Sequence, residues 1–137
     1  TVVVWSYPEC KILFQKKVAD LIEEINWNST RPNLFAARRM FKDQVFVCDS
    51  SIGDVITPFD GEYVTAVKWI SENNRIAVSF SIPRRNGTIK FFEMVENNLT
   101  TTRLVKEFTH GEHCYYLEWN ERTQYLASVL RGSIFGL

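Results

Sequence analysis

The sequence carries no excess of either charge: 16 lysines and arginines balance 16 aspartates and glutamates, for a formal net charge of zero. Nucleic-acid binding driven by bulk charge is therefore not supported, because that attraction needs a positive surface. No run approaches about 18 apolar residues, so no membrane-spanning helix is expected. No charged segment leads into an apolar one as a secretory leader would. Cysteine is scarce and scattered, at Cys10, Cys48 and Cys114. An odd number without close spacing fits neither a disulfide framework nor a paired-cysteine metal site. Buried free thiols in a reducing compartment are expected instead, which makes the protein intracellular, cytoplasmic or nuclear. Tripeptides of the glycosylation type occur at Asn28, Asn86 and Asn98, and would matter only in a secreted chain.

Catalytic signatures are also missing. There is no Gly-rich phosphate loop, no nucleophile-elbow motif and no paired-histidine zinc motif. His110 and His113, beside Glu112 and Cys114, lack a second cluster to complete a metal site. A structural hydrogen bond from a turn histidine is the expectation, with no metal and no cofactor. Glu23 and Glu24 are adjacent, so on a strand they should point to opposite faces and not act as an acid/base pair. The chain is expected not to be an enzyme.

What the sequence does hold is an ordinary globular composition, 45% hydrophobic and 14% aromatic, within the length of one domain. It also holds a repeat. Trp5, Cys48, Phe92 and Leu137 close short β-rich runs at intervals of 43, 44 and 45 residues. A second series ends on Trp27, Trp69 and Trp119, spaced by 42 and 50 residues. Each of these tryptophans is followed by a polar turn and then an apolar run with a central alanine, at Ala36 and Ala37, Ala77 and Ala127. A period of about 40–45 residues is that of four-stranded propeller blades. Labelling strands a to d, residues 1–6 and 11–17 read as c and d. Residues 21–27, 34–39 and 44–49 read as a, b and c, with d somewhere in 52–57. Residues 63–69, 75–81, 87–94 and 102–108 form a full set, and 114–119, 125–130 and 132–137 give a, b and c again. One segment competes: Val18, Leu21, Ile22 and Ile25 also fit a helical face. The alignment of Trp27 with Trp69 and Trp119 favours a strand.

These residues resemble a WD40-repeat β-propeller with degenerate motifs. Thr109-His110-Gly111-Glu112-His113 is similar to the Gly-His element before strand a. Trp5-Ser6, Cys48-Asp49 and Phe92-Glu93 stand where the family has Trp-Asp. The resemblance implies an all-β, partial propeller of about three four-stranded antiparallel blades over residues 1–137. Its units fall roughly at 1–17, 18–60, 61–109 and 110–137, the first and last incomplete. Propellers close with about 4–8 blades. The expectation is an arc of a ring, a fragment completed by further blades of the same or another chain.

A propeller of this kind implies a non-enzymatic protein–protein interaction scaffold within a larger protein or assembly. Arg38 and Arg39, Arg84 and Arg85, and Arg131 fall near equivalent b–c connections, so they are expected on one rim. Arginine forks there would bind carboxylate or phosphate of a partner. The competing reading is a solvated face, with Asp20, Asp60, Glu62 and Glu112 pairing with the arginines. The alternative function is RNA binding through the same rim. Tyr115 and Tyr116, like Phe91 and Phe92, should alternate faces and pack between units.

Overall fold

The computed structural model describes residues 1–17, 22–39, 45–51, 54–59, 63–70, 75–81, 87–95, 98–110 and 113–131. The described regular structure is entirely β. β1 (Val2–Trp5) and β2 (Ile12–Lys16) form a first, two-stranded sheet. β3 (Ile22–Trp27), β4 (Leu34–Arg39), β5 (Val45–Asp49) and β6 (Asp54–Phe59) form a second. β7 (Val64–Ile70), β8 (Arg75–Ser81), β9 (Gly87–Val95) and β10 (Asn98–His110) form a third. β11 (His113–Asn120) and β12 (Tyr125–Arg131) form the fourth. All pairings are antiparallel between consecutive strands, so each sheet is a meander.

The segment with helical spacing is a strand from Ile22 onward, and burial along it alternates with period two. Glu24 and Asn26 turn inward, while Ile25 and Trp27 are each 46% exposed. The strand with the weakest sequence signal is β6, two residues later than the expected 52–57. The expected last strand, 132–137, lies outside the described residues.

The sheets stack face to face in chain order, because the two middle sheets are apolar on both sides. In β4 and β5, Leu34, Ala36, Val45 and Val47 face the third sheet. Their alternates Phe35, Ala37, Phe46 and Cys48 face Val2 and Phe14 of the first. In the third sheet, Val67, Trp69, Ile76, Val78 and Met94 look back to the second. Ala66, Ile70, Ala77 and Ile89 look forward to Cys114 and Leu117 of the fourth. β4, β5, β7, β8 and β9 thus each serve two cores, as a period of two residues per pleat requires. An aromatic edge fastens the first layer to the second, where Phe14 meets Phe35 at 5.9 Å, and within the third sheet Phe80 meets Phe92 at 6.3 Å, both T-shaped. Phe91 and Phe92 do alternate faces, one toward the fourth sheet and one toward the second.

The stack is also aligned strand on strand. β7 touches β3 and β11, and β10 touches β6, so first strands neighbour first strands and last neighbour last. The register repeats as well. Trp27 pairs with Phe35, Trp69 with Ile76, and Trp119 with Leu126. The residue before each tryptophan pairs with Ala36, Ala77 or Ala127. Each hairpin then slips at one place: between Ile22 and Glu24, between Val64 and Ala66, and between Cys114 and Tyr116. The extra residues are Glu23, Thr65 and Tyr115, each four positions before its tryptophan. The polar turns behave as their composition predicts. Asn28 Oδ1 accepts from the Thr30 and Arg31 amides at 2.9 and 3.0 Å, and Asn120 Oδ1 accepts from Arg122 and Thr123 at 3.0 and 3.1 Å. Asn28 is only 3% exposed, so its tripeptide is part of a turn interior.

Candidate functional site

A β-bulge leaves one residue unpaired and re-aims the side chains around it. Three bulges at one register position, on three adjacent first strands, therefore point three side chains to one place. Glu23, Thr65 and Tyr115 line a common cavity of about 220 Å³. Arg38, Ser81 and His113 complete its polar wall, with Tyr63 and Val64 beside them.

The electrostatics centre on Arg38. Its Nε lies 3.0 Å from Glu24 Oε2 and its Nη1 3.0 Å from Glu23 Oε2. The two carboxylates reach one guanidinium although burial still alternates along β3, with Glu23 exposed and Glu24 half-buried. Arg38 is 7% exposed, so its guanidinium is taken from water and neutralised in place. Burial raises the Glu24 carboxyl above its ordinary value, against the pull of Arg38 and of a hydrogen bond from the Val67 backbone.

Across the cavity, Ser81 Oγ and His113 Nδ1 are hydrogen-bonded. This joins the third sheet to the fourth. Thr65 Oγ1 donates to Ser79 Oγ at 3.1 Å. Two further ties sit one residue before the repeated tryptophan. Asn26 Oδ1 accepts the Trp69 amide at 2.8 Å, and Lys68 Nζ is 3.4 Å from Glu118. Glu118 also accepts from the Tyr116 hydroxyl at 2.9 Å, which holds its carboxyl below the usual range. Tyr115 and Tyr116 are 48% and 49% exposed. They do not fill a core as expected: the bulge sends Tyr115 to the cavity, and Tyr116 reaches Glu118.

The arginines proposed from sequence fare unequally. Arg38 and Arg39 belong to β4 rather than to the connection after it. Arg38 is engaged by Glu23 and Glu24. Arg39 is half-buried, with its Nε lacking an acceptor among the described residues. Arg84 and Arg85 lie outside the described residues, as do Asp20, Asp60, Glu62 and Glu112. Only the backbone of Arg131 is described, opposite His113. Among the described residues no three His, Cys, Asp or Glu side chains gather as metal ligands would. No helix of the described chain is long and apolar enough to cross a membrane.

Sequence reasoning missed Glu23, Thr65 and Tyr115 as a set. Their common distance from the tryptophans was the available signal, but the slip that turns them inward leaves no mark in composition. No protein-family model matches the chain, and no curated protein matches it.

Proposed function

We propose that the chain is part of a WD40-like β-propeller that serves as a non-enzymatic protein–protein interaction scaffold. The observation that supports this reading is the recurrence of one bulged hairpin, at Glu23, Thr65 and Tyr115, stacked first strand upon first strand. Repeats that contact only their neighbours give a rigid surface on which loops of successive units stand side by side. Within this reading each sheet is a blade. The outer sheets still present apolar side chains: Trp5, Ile12 and Leu13 on one, Tyr125, Val129 and Leu130 on the other, all at least 40% exposed. A further sheet of the same kind, from this or another chain, is the occupant that continues both stacks. Exposed apolar area of this sort is characteristic of an interface. Three free cysteines suit a reducing compartment, so the scaffold is proposed to be intracellular, cytoplasmic or nuclear.

The test is affinity capture of the tagged protein from its own cells, with and without nuclease, followed by mass spectrometry. A stoichiometric protein partner that survives nuclease is expected. Recovery of RNA alone, with affinity falling steeply as salt rises, would overturn the scaffold reading in favour of RNA binding through the arginine rim.

A further inference from the structure

A second cavity, of about 300 Å³, opens between the third and fourth sheets, at the end away from the bulges. Its floor is apolar: Ile70, Phe91, Trp119 and Leu126 continue the core shared by those sheets. Val105 and Lys106 both line it. Consecutive residues on a regular strand would face opposite ways, but β10 slips between Leu104 and Lys106, and Val105 is the extra residue. Arg75, on β8 of the same sheet, also lines it, and Trp119, Gln124 and Leu126 of the fourth sheet's hairpin face them.

The charges here are not balanced as they are around Arg38. Arg75 Nη2 is 3.9 Å from Glu93 Oε2, while Arg103 holds the same oxygen at 2.8 Å. The Arg75 Nε is buried and has no acceptor among the described residues. The Glu121 carboxylate accepts from the Trp119 indole at 3.2 Å. The described lining thus holds two cations, Arg75 and Lys106, and no carboxylate. Two cations beside an apolar floor are complemented by a ligand that supplies a carboxylate and an apolar group together.

Resting on the scaffold reading, we infer that this groove docks an acidic peptide segment of a partner protein. One aliphatic or aromatic side chain enters between Phe91, Trp119 and Leu126, and a flanking carboxylate meets Arg75 and Lys106. The volume lies at the low end of the range for ligand pockets, about 300–1,000 Å³, which suits one anchor side chain rather than an extended ligand. The Arg75 fork gives direction to the carboxylate, and Lys106 adds a more mobile charge at the rim.

The test uses fluorescence polarisation with a short labelled peptide carrying a central phenylalanine–leucine pair flanked by glutamates. The same peptide with lysines in place of glutamates is the control. The glutamate peptide should bind and the lysine peptide should not. Arg75→Gln and Lys106→Gln should each weaken binding about tenfold, as expected for one charge-assisted hydrogen bond. Val105→Glu should abolish it. Lys106 is exposed, so its variant keeps the fold, checked by circular dichroism. Equal binding of both peptides, unchanged binding by both the Arg75 and Lys106 variants, or displacement of the peptide by single-stranded RNA would overturn the inference. Failure of the glutamate peptide, alongside a stoichiometric protein partner in the capture experiment, removes the groove and leaves the scaffold reading. Capture of RNA alone removes that reading itself.

Discussion

Arg38 separates an internal tie from a docking residue, and Arg38→Met measures which it is. The side chain is 91% buried, with carboxylates on both sides at 3.0 Å. Methionine keeps most of the volume and removes the charge. The loss comes chiefly from Glu24, whose side chain is 18% exposed and would be left beside an apolar neighbour. Glu23, at 41%, rehydrates, and its pairing with Arg38 adds little. Removing one partner of a buried pair costs about 3–5 kcal/mol. The low end applies because Glu24 retains some water, so about 3 kcal/mol is expected. For a domain of this length that lowers Tm by about 12 °C, taking about 4 °C per kcal/mol. Urea unfolding followed by circular dichroism gives the free energy directly. Glu24→Gln in the same background should recover about 2 kcal/mol, because the orphaned charge is gone. A loss below about 1 kcal/mol, with no coupling between the two sites, would refute the internal-tie argument. Weakened partner binding at unchanged stability would then identify Arg38 as a surface docking residue.

The pH dependence of that same cluster has a defined sign. Glu24 binds its proton more tightly folded than unfolded, so its contribution to stability is full below the ordinary value of 4.5 and is lost as pH rises through the folded value. The stability difference between wild type and Glu24→Gln should therefore shift against wild type across that window, read by thermal melts at successive pH; a shift in the opposite direction counts against burial as the cause. Burial pushes the Cys48 thiol up to about 11 and raises Cys114 as well, while Cys10 is exposed. A disulfide-exchange reagent should label Cys10 promptly and the other two only on unfolding; rapid labelling of Cys48 in the folded protein would contradict the packing of the first and second sheets. Asn26→Leu should cost about 1–3 kcal/mol in urea unfolding, because the Trp69 amide loses its acceptor between two sheets; an unchanged midpoint would show that the contact carries nothing.

The tryptophan series made the hairpins legible, because Trp27, Trp69 and Trp119 take the same register position and the alanines pair one step away. The same alignment correctly chose strand for Ile22 to Ile25, where local periodicity alone favours a helix. Tertiary contacts decided that choice, since Glu24 pairs with Arg38 of the neighbouring strand and Asn26 accepts the Trp69 amide of the next sheet. The cysteines were half legible: Cys48 and Cys114 sit in cores, but Cys10 lies in an exposed turn with φ of 55°. Arg38 was the clearest misplacement. Its position at the end of a strand suggests a loop and a rim, yet its Cα partner is Val45 on one side and Glu24 on the other.

The bulges explain why the fold was more legible than the site. An alternating pattern fixes which residues face a neighbouring sheet only while the register is unbroken. One extra residue at Glu23, Thr65 and Tyr115 breaks it at the same point in each hairpin, and again at Val105. The two cavities described are each lined by residues at these slips. The position survives from unit to unit while the chemistry does not: a carboxylate, a hydroxyl and a phenol occupy it in turn. The same holds one residue before each tryptophan, where an amide hydrogen bond at Asn26 gives way to an ion pair between Lys68 and Glu118. Backbone geometry is thus repeated and side-chain function is not. A search for repeated motifs recovers the first and passes over the second, so specificity in this chain must be read from the residues that differ between units at the positions that do not.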